Sequence, residues 1–117
     1  MQRIMLKSKI SRATITDANL AYEGSLSLGA ELREAADLLL GERVQVVNCN
    51  SGSRLETYVM DGKPGEVCLN GAAVRLGQIG DIVIIMGFGL MDEEEARSRR
   101  PRVVFVDEKN AVTGVKE

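Results

Sequence analysis

Only one stretch of this chain sustains a clear helical period, and that limits its folds more than any other feature. Leu32, Ala35, Ala36 and Leu39 recur at i, i+3, i+4 and i+7, with Glu31 and Glu34 in the first turn and Gly41 past the end. Elsewhere apolar and β-branched residues come in runs of four to seven residues divided by turn formers. Ile4 to Ile10 and Ala13 to Thr16 read as two strands parted by polar residues, and Asp17 and Asn19 close them as a turn. Tyr22 to Leu28 reads as extended chain, and Val44 to Asn48 with Arg54 to Met60 as a hairpin around Asn50-Ser51-Gly52. Glu66 to Leu69 ends at a sharp reversal at Asn70-Gly71, Ile82 to Met86 is a buried strand, and Val103 to Asp107 is the last strand. Asp92 and Glu95 make a capping-box pattern for a second short helix that must stop before Pro101. Many short strands with two short helices predict a mainly β fold. Closing such a sheet into a small barrel would remove its exposed edges.

Size and composition narrow the functions. With 117 residues the chain folds to roughly 6,200 Å² of surface from about 18,000 Å² unfolded, enough for one core over residues 1–117 and too little for two. The formal charge is -2 and only Tyr22, Tyr58, Phe88 and Phe105 are aromatic, which argues against nucleic-acid binding by phosphate attraction or base stacking. There is no histidine, so a Ser-His-Asp triad, a Cys-His dyad and a His-containing metal site are excluded. Cys49 and Cys68 have 18 residues between them and no Cys-x-x-Cys spacing; both read as reduced, half-buried strand residues, and no metal site is expected. The first residues lack a signal-peptide apolar stretch and Ile82 to Met91 is too short to span a bilayer, so a soluble cytoplasmic protein without a membrane partner is expected. The run Asp92 to Arg102, four acids then four arginines, reads as a solvated helix with its own ion pairs.

The informative pair is Gly24-Ser25, ordinary as a turn and notable only with its surroundings. In Met5-Leu6-Lys7-Ser8-Lys9-Ile10, Arg54-Leu55-Glu56-Thr57-Tyr58, and Asn70-Gly71-Ala72-Ala73 followed by Gly80-Asp81-Ile82-Val83-Ile84-Ile85, the chain resembles the pyruvoyl-dependent aspartate 1-decarboxylases. The resemblance runs to about Asn110, with the landmarks in family order and spacing. It implies a double-psi β-barrel, a homotetramer with sites between subunits, and a proenzyme that cuts itself between Gly24 and Ser25. It also implies a covalent pyruvoyl group derived from Ser25, with neither PLP nor metal, that converts L-aspartate to β-alanine and carbon dioxide.

Residue by residue, the resemblance gives Lys9 and Arg54 the substrate carboxylates, a role in which Arg offers a bidentate fork and Lys a point charge. Thr57 assists ester formation during processing, Tyr58 protonates the carbanion after decarboxylation, and Tyr22 lines the pocket. Asn70, Gly71, Ala72 and Ala73 present donors to the pyruvoyl region or substrate. Taken singly, these residues also have ordinary readings: Lys9 as a solvated strand lysine, Arg54 as a hairpin residue, Asn70-Gly71 as a type I′ turn. Thr57 and Tyr58, as strand neighbours, point to opposite faces unless a bulge, strong twist or subunit boundary intervenes.

Two departures stand out. Ser11 replaces a histidine common in the family, which bears on maturation rate, and Leu28-Gly29 replaces a common Ile-Asp pair, leaving Gly29 as a weaker N-cap. In some bacteria the family also uses a maturation partner, a requirement on which this sequence is silent. Two other readings stay open here: a non-enzymatic β-barrel scaffold or small-ligand binder with an intact Gly24–Ser25 bond, and a cysteine-dependent enzyme using Cys49 or Cys68.

Overall fold

The computed structural model describes residues 1–20 and 23–117. The strands are β1 (Arg3–Thr14), β2 (Asp17–Asn19), β3 (Ser25–Gly29), β4 (Arg43–Asn48), β5 (Arg54–Gly62), β6 (Val67–Asn70), β7 (Ile82–Met91), β8 (Arg102–Val106) and β9 (Val112–Lys116). Two short α-helices, α1 (Ala30–Ala35) and α2 (Glu93–Ser98), and a 3-10 helix (Gly71–Leu76) complete the described elements. The mainly β expectation holds. Among the described residues no helix is long and apolar enough to cross a membrane.

The strands pair in the order β2-β6-β3-β5-β4-β7-β1-β8-β9. Pairing is mixed: β3 runs parallel to β5 but antiparallel to β6, and β1 runs parallel to β8 but antiparallel to β7. A simple meander cannot produce that pattern, because parallel neighbours need crossover connections. The sheet curls round one core, to which β1, β3, β4, β5, β6, β7 and β8 all contribute fully buried residues such as Ile10, Leu26, Val46, Val59, Leu69 and Ile85. Chain continuity links distant places in the order. Between β1 and β2, Ile15 N–H donates to the Asp81 carbonyl and Thr16 N–H to the Val67 carbonyl, both at 2.9 Å, so one extended stretch touches both β7's entry and β6.

Several sequence expectations change on folding. The two N-terminal strands are one, β1, with pairing irregularities between Leu6 and Ser8 and between Ile10 and Ala13. Unpaired residues there bend the strand without ending it, Arg12 taking a φ of 58°. α1 stops at Ala35, and the period does not carry to Leu39, because Asp37 adopts a φ of 54°. Leu38 N–H then donates to the Arg33 carbonyl at 2.8 Å and Asp37 N–H to the Glu34 carbonyl at 3.2 Å, the paired bonds of a Schellman ending. Leu38 turns into the core, whereas Leu39 is 71% exposed. Asp17–Asn19 forms β2, not a turn, and β9 follows a last strand expected to be β8. Asn70-Gly71 is no hairpin turn: Gly71, at a φ of 64°, opens the 3-10 helix.

Two local expectations hold in part. Asp92 caps α2 by accepting the Glu95 N–H at 2.9 Å. Gly29 caps α1 with no side-chain bond, and a Cβ there would come within 2.7 Å of the Lys63 carbonyl oxygen. The glycine therefore permits the approach of the 63–65 turn, a packing gain set against its weak capping. Neither cysteine is half-buried. Cys49 is exposed in the β4–β5 turn, Cys68 is buried in β6, and both are free thiols.

Candidate active site

Residues on β3 and β6 divide cleanly between two faces. Leu26 and Leu28 on β3 and Val67 and Leu69 on β6 face the core. By the two-residue period of a strand, Ser25, Ser27, Cys68 and Asn70 share the opposite face, and the pairings Ser25↔Asn70 and Ser27↔Cys68 set them side by side. That second face is buried too: Ser25 is 0% exposed and Asn70 3%. Buried polar groups need partners, and here they find one another. Asn70 Nδ2 donates to Ser25 Oγ at 3.0 Å and to Ser27 Oγ at 2.9 Å. Ser25 Oγ donates to the Glu23 carbonyl at 3.1 Å. Cys68 Sγ lies 3.3 Å from Asn70 Oδ1, and the Cys68 thiol is pushed up to about 11 by burial, with Asp17 and Glu66 adding repulsion.

Beside this layer is a cavity of about 360 Å³ lined by Gly24, Leu55, Glu56, Thr57, Tyr58, Ala72, Ala73 and Leu76. Its origin lies in strand length. β3 pairs with β5 only from Leu26↔Val59 onward, so the Arg54–Tyr58 part of β5 has β4 on one side and no β3 on the other. Continuing the same parallel register backward sets Gly24 level with Thr57 and Ser25 level with Tyr58. An ideal Cβ on Gly24 would meet nothing within 4 Å, so this peptide opens onto the cavity.

The β4–β5 pairing is regular through Arg43↔Tyr58 and Val44↔Thr57, without a bulge. Thr57 therefore shares the face of buried Val59, and Tyr58, 37% exposed, the other face; both still line the cavity because it lies at the strand's open edge. Asn48 holds the far wall. Only 2% exposed, it accepts the N–H groups of Asn50 and Ser51 and donates to the Leu76 carbonyl and to Asp81 Oδ2, tying the hairpin turn to the end of the 3-10 helix. The bonds from Asn48 and the Gln78 N–H hold the Asp81 carboxyl below its usual range.

Of the residues proposed from sequence, Gly24, Thr57, Tyr58, Ala72 and Ala73 meet at the cavity, and Ser25 and Asn70 meet in the adjoining layer; Gly71 links Asn70 to the two alanines. Tyr22 lies outside the described residues. Lys9 and Arg54 do not line the cavity. Arg54 Nη1 donates to Gln45 Oε1 at 2.8 Å, and Lys9, Met86, Gln45 and Glu56 follow one another across β1, β7, β4 and β5 on the outer face. Glu56 is held below its usual range by its bonds from Arg43 and then Gln45. Among the described residues the cavity has one acid and no cation in its lining. Sequence reasoning missed Ser27 and Asn48, and it considered Cys68 only as a strand residue or a nucleophile, not as a neighbour of Asn70. The alternation Ser25-Leu-Ser27 beside Cys68-Leu-Asn70 was a readable signal for a polar face, but nothing local told that β3 and β6 pair in that register.

Comparison with known proteins agrees along nearly the whole chain. Residues 1–113 match the family described as aspartate decarboxylase. The chain is 60% identical over 112 residues to an aspartate 1-decarboxylase of Desulfitobacterium hafniense, covering 94% of this chain and 88% of that one. A protein of the same name from Thermoanaerobacter pseudethanolicus is 54% identical, covering 94% of this chain and 96% of its own. Another from Moorella thermoacetica is 52% identical, covering 100% and 93%.

Proposed function

The chain belongs to the aspartate decarboxylase family, and on that premise we propose that it is a self-processing enzyme converting L-aspartate to β-alanine and carbon dioxide for pantothenate synthesis. Its prosthetic group would be a pyruvoyl made from Ser25. The observation that carries this reading is the hydrogen-bonded Ser25–Asn70 pair, fully buried next to a peptide that opens on a cavity.

Processing starts with Ser25 Oγ adding to the Gly24 carbonyl carbon; the Gly24–Ser25 C–N bond breaks, the hydroxyl proton passes to nitrogen, and an ester forms. Thr57, level with Gly24, is set to support the developing oxyanion. Elimination and hydrolysis then release ammonia. The residues fit the group so made: once the Ser25 hydroxyl is gone, the Asn70 N–H is left for an acyl oxygen on residue 25, and loss of the bond to Gly24 bares that residue toward the cavity. The group supplies an electrophilic carbonyl that binds the substrate amine and draws off the electron pair as carbon dioxide leaves.

Gly71, Ala72 and Ala73 begin a 3-10 helix, where backbone N–H groups lack intrahelical partners and can donate to substrate. Tyr58 returns a proton to the substrate carbon that lost its carboxylate. A substrate with two carboxylates cannot rest in a cavity whose one charged lining residue, among those described, is Glu56. Lys9 and Arg54 are therefore assigned to a neighbouring copy whose outer face closes the site, so the working form holds more than one chain, and the family resemblance implies that it is a homotetramer of single-domain chains, residues 1–117. Tyr22 is assigned to the pocket wall. No nucleic acid or membrane takes part, and the protein works in the cytoplasm.

Mass measurement under denaturing conditions tests the reading. Two fragments are expected, one ending at Gly24 and the other starting with a pyruvoyl group, lighter by one ammonia than a Ser25-started chain. An uncut chain without aspartate decarboxylase activity would favour the scaffold reading.

A further inference from the structure

The Asn70 amide is surrounded by three side chains, and its two ends meet different partners. Ser25 gives its one proton to the Glu23 carbonyl, so its oxygen takes only the NH₂ end, while the Ser27 hydroxyl can donate or accept. An Asn70 turned by 180° would be satisfied only if Ser25 gave up its bond to Glu23, and it would leave Oδ1 without the donor it now has. That donor is Cys68. Its thiol has one proton to give and a sulfur that accepts poorly, so it distinguishes the oxygen from the NH₂ group. With its pKa raised to about 11 by burial, the thiol keeps that proton at any working pH. Asn70 Oδ1 lies at 3.3 Å from Cys68 Sγ, against 3.7 Å for the Leu69 carbonyl, the other acceptor within reach among the described residues.

Resting on the self-processing reading above, we infer that Cys68 is a positioning residue whose S–H bond to Asn70 Oδ1 keeps the Asn70 NH₂ directed at Ser25. The orientation matters because Ser25 Oγ changes character as it reacts. While the Oγ–carbonyl bond forms and the C–N bond breaks, its proton leaves for nitrogen and the oxygen can only accept. An NH₂ facing it keeps its bond throughout. An Oδ1 facing it would set two acceptors against each other in a buried layer, opposing the ester at the moment it forms.

The test is the time course of cleavage at Gly24–Ser25, followed by intact mass in the full-length chain. Cys68→Ser and Cys68→Ala differ by a single oxygen, so a mere packing role predicts equal maturation, with any loss tracking the melting temperature. The positioning role predicts that Cys68→Ser matures within about twofold of wild type, while Cys68→Ala is slower by roughly three- to tenfold, the worth of one modest hydrogen bond. If the alanine chain does not fold, Cys68→Thr and Cys68→Val form the same comparison at larger, matched volume. In an Asn70→Asp background, where neither end can donate, Cys68→Ala should slow maturation no further. Equal rates for the serine and alanine chains, or full additivity with Asn70→Asp, would overturn the inference and leave self-processing intact. A wild-type chain that never cleaves would overturn both.

Discussion

Two polar regions of this molecule are each knit together by side-chain hydrogen bonds, one from neutral groups and one mainly from charged groups. On β3 and β6, Ser25, Ser27, Cys68 and Asn70 are enclosed and satisfy one another. On the outer face of β4 and β5, Arg43, Gln45, Arg54 and Glu56 are also linked, with Glu56 receiving bonds from both Arg43 and Gln45. Burial separates them. In the enclosed layer an unmade bond costs the desolvation of its group, so geometry is held; in the open layer water replaces any bond that breaks, and the side chains can be re-aimed. On the proposed function, the first region makes the reactive group, and the second binds a substrate carboxylate in a site it closes on a neighbouring copy.

The sharpest way to break this contrast is in the enclosed layer. Ser25→Ala removes the oxygen proposed to attack Gly24, and cleavage and decarboxylation should both vanish; a cleaved, active alanine chain by mass spectrometry and product assay would end the comparison. Arg54→Ala probes the open layer with two readouts. Stability should move by less than about 1 kcal/mol in urea unfolding, because the Gln45 contact is exposed. kcat/KM for aspartate should nevertheless fall by about 2–5 kcal/mol of transition-state stabilisation, since a covered carboxylate would lose its partner. Light scattering should find a tetramer, and a fully active monomer would remove the reason for that gap.

Tyr58 stands on the boundary between the regions. Tyr58→Phe should mature normally, because the ester route does not use its phenol, yet turnover should drop by roughly 100-fold. Thr57→Val should instead accumulate uncut chain. Normal maturation of the valine variant would show that neighbouring residues on β5 do not divide processing from catalysis.

The smallest effect expected is on acid stability. Asp81 and Glu56 both have depressed carboxyl pKa values, so what each contributes to stability is complete above the ordinary carboxylate range and is lost as pH falls through its lower folded value. Asp81 anchors buried Asn48, while Glu56 is bonded in the open. Melting curves below pH 4 should therefore lose more of their pH dependence in Asp81→Asn than in Glu56→Gln. The reverse order would contradict the assigned importance of enclosure.

Some of this was legible from residue order alone. Alternating apolar residues mark β4, β5 and β6, Asp92 and Glu95 mark the start of α2, and the lack of histidine removes whole classes of catalyst. The Gly24-Ser25 pair and the three motifs around it point to the chemistry. Such features act over a few residues, through backbone sterics, capping bonds and the strand period, and need no partner elsewhere in the chain.

What needed the tertiary structure depends on partners distant in sequence. Ser25 and Asn70 are 45 residues apart, and only the β3–β6 register makes them neighbours. β1 stays one strand because β7 pairs across its irregularities, and α1 ends early because Leu38 gains a place in the core. The cavity exists because β5 outruns β3, a difference in length that neither strand's own residues declare. Pairing and burial assign each side chain its surroundings, and surroundings decide whether an asparagine serves a turn or directs a donor at a buried serine.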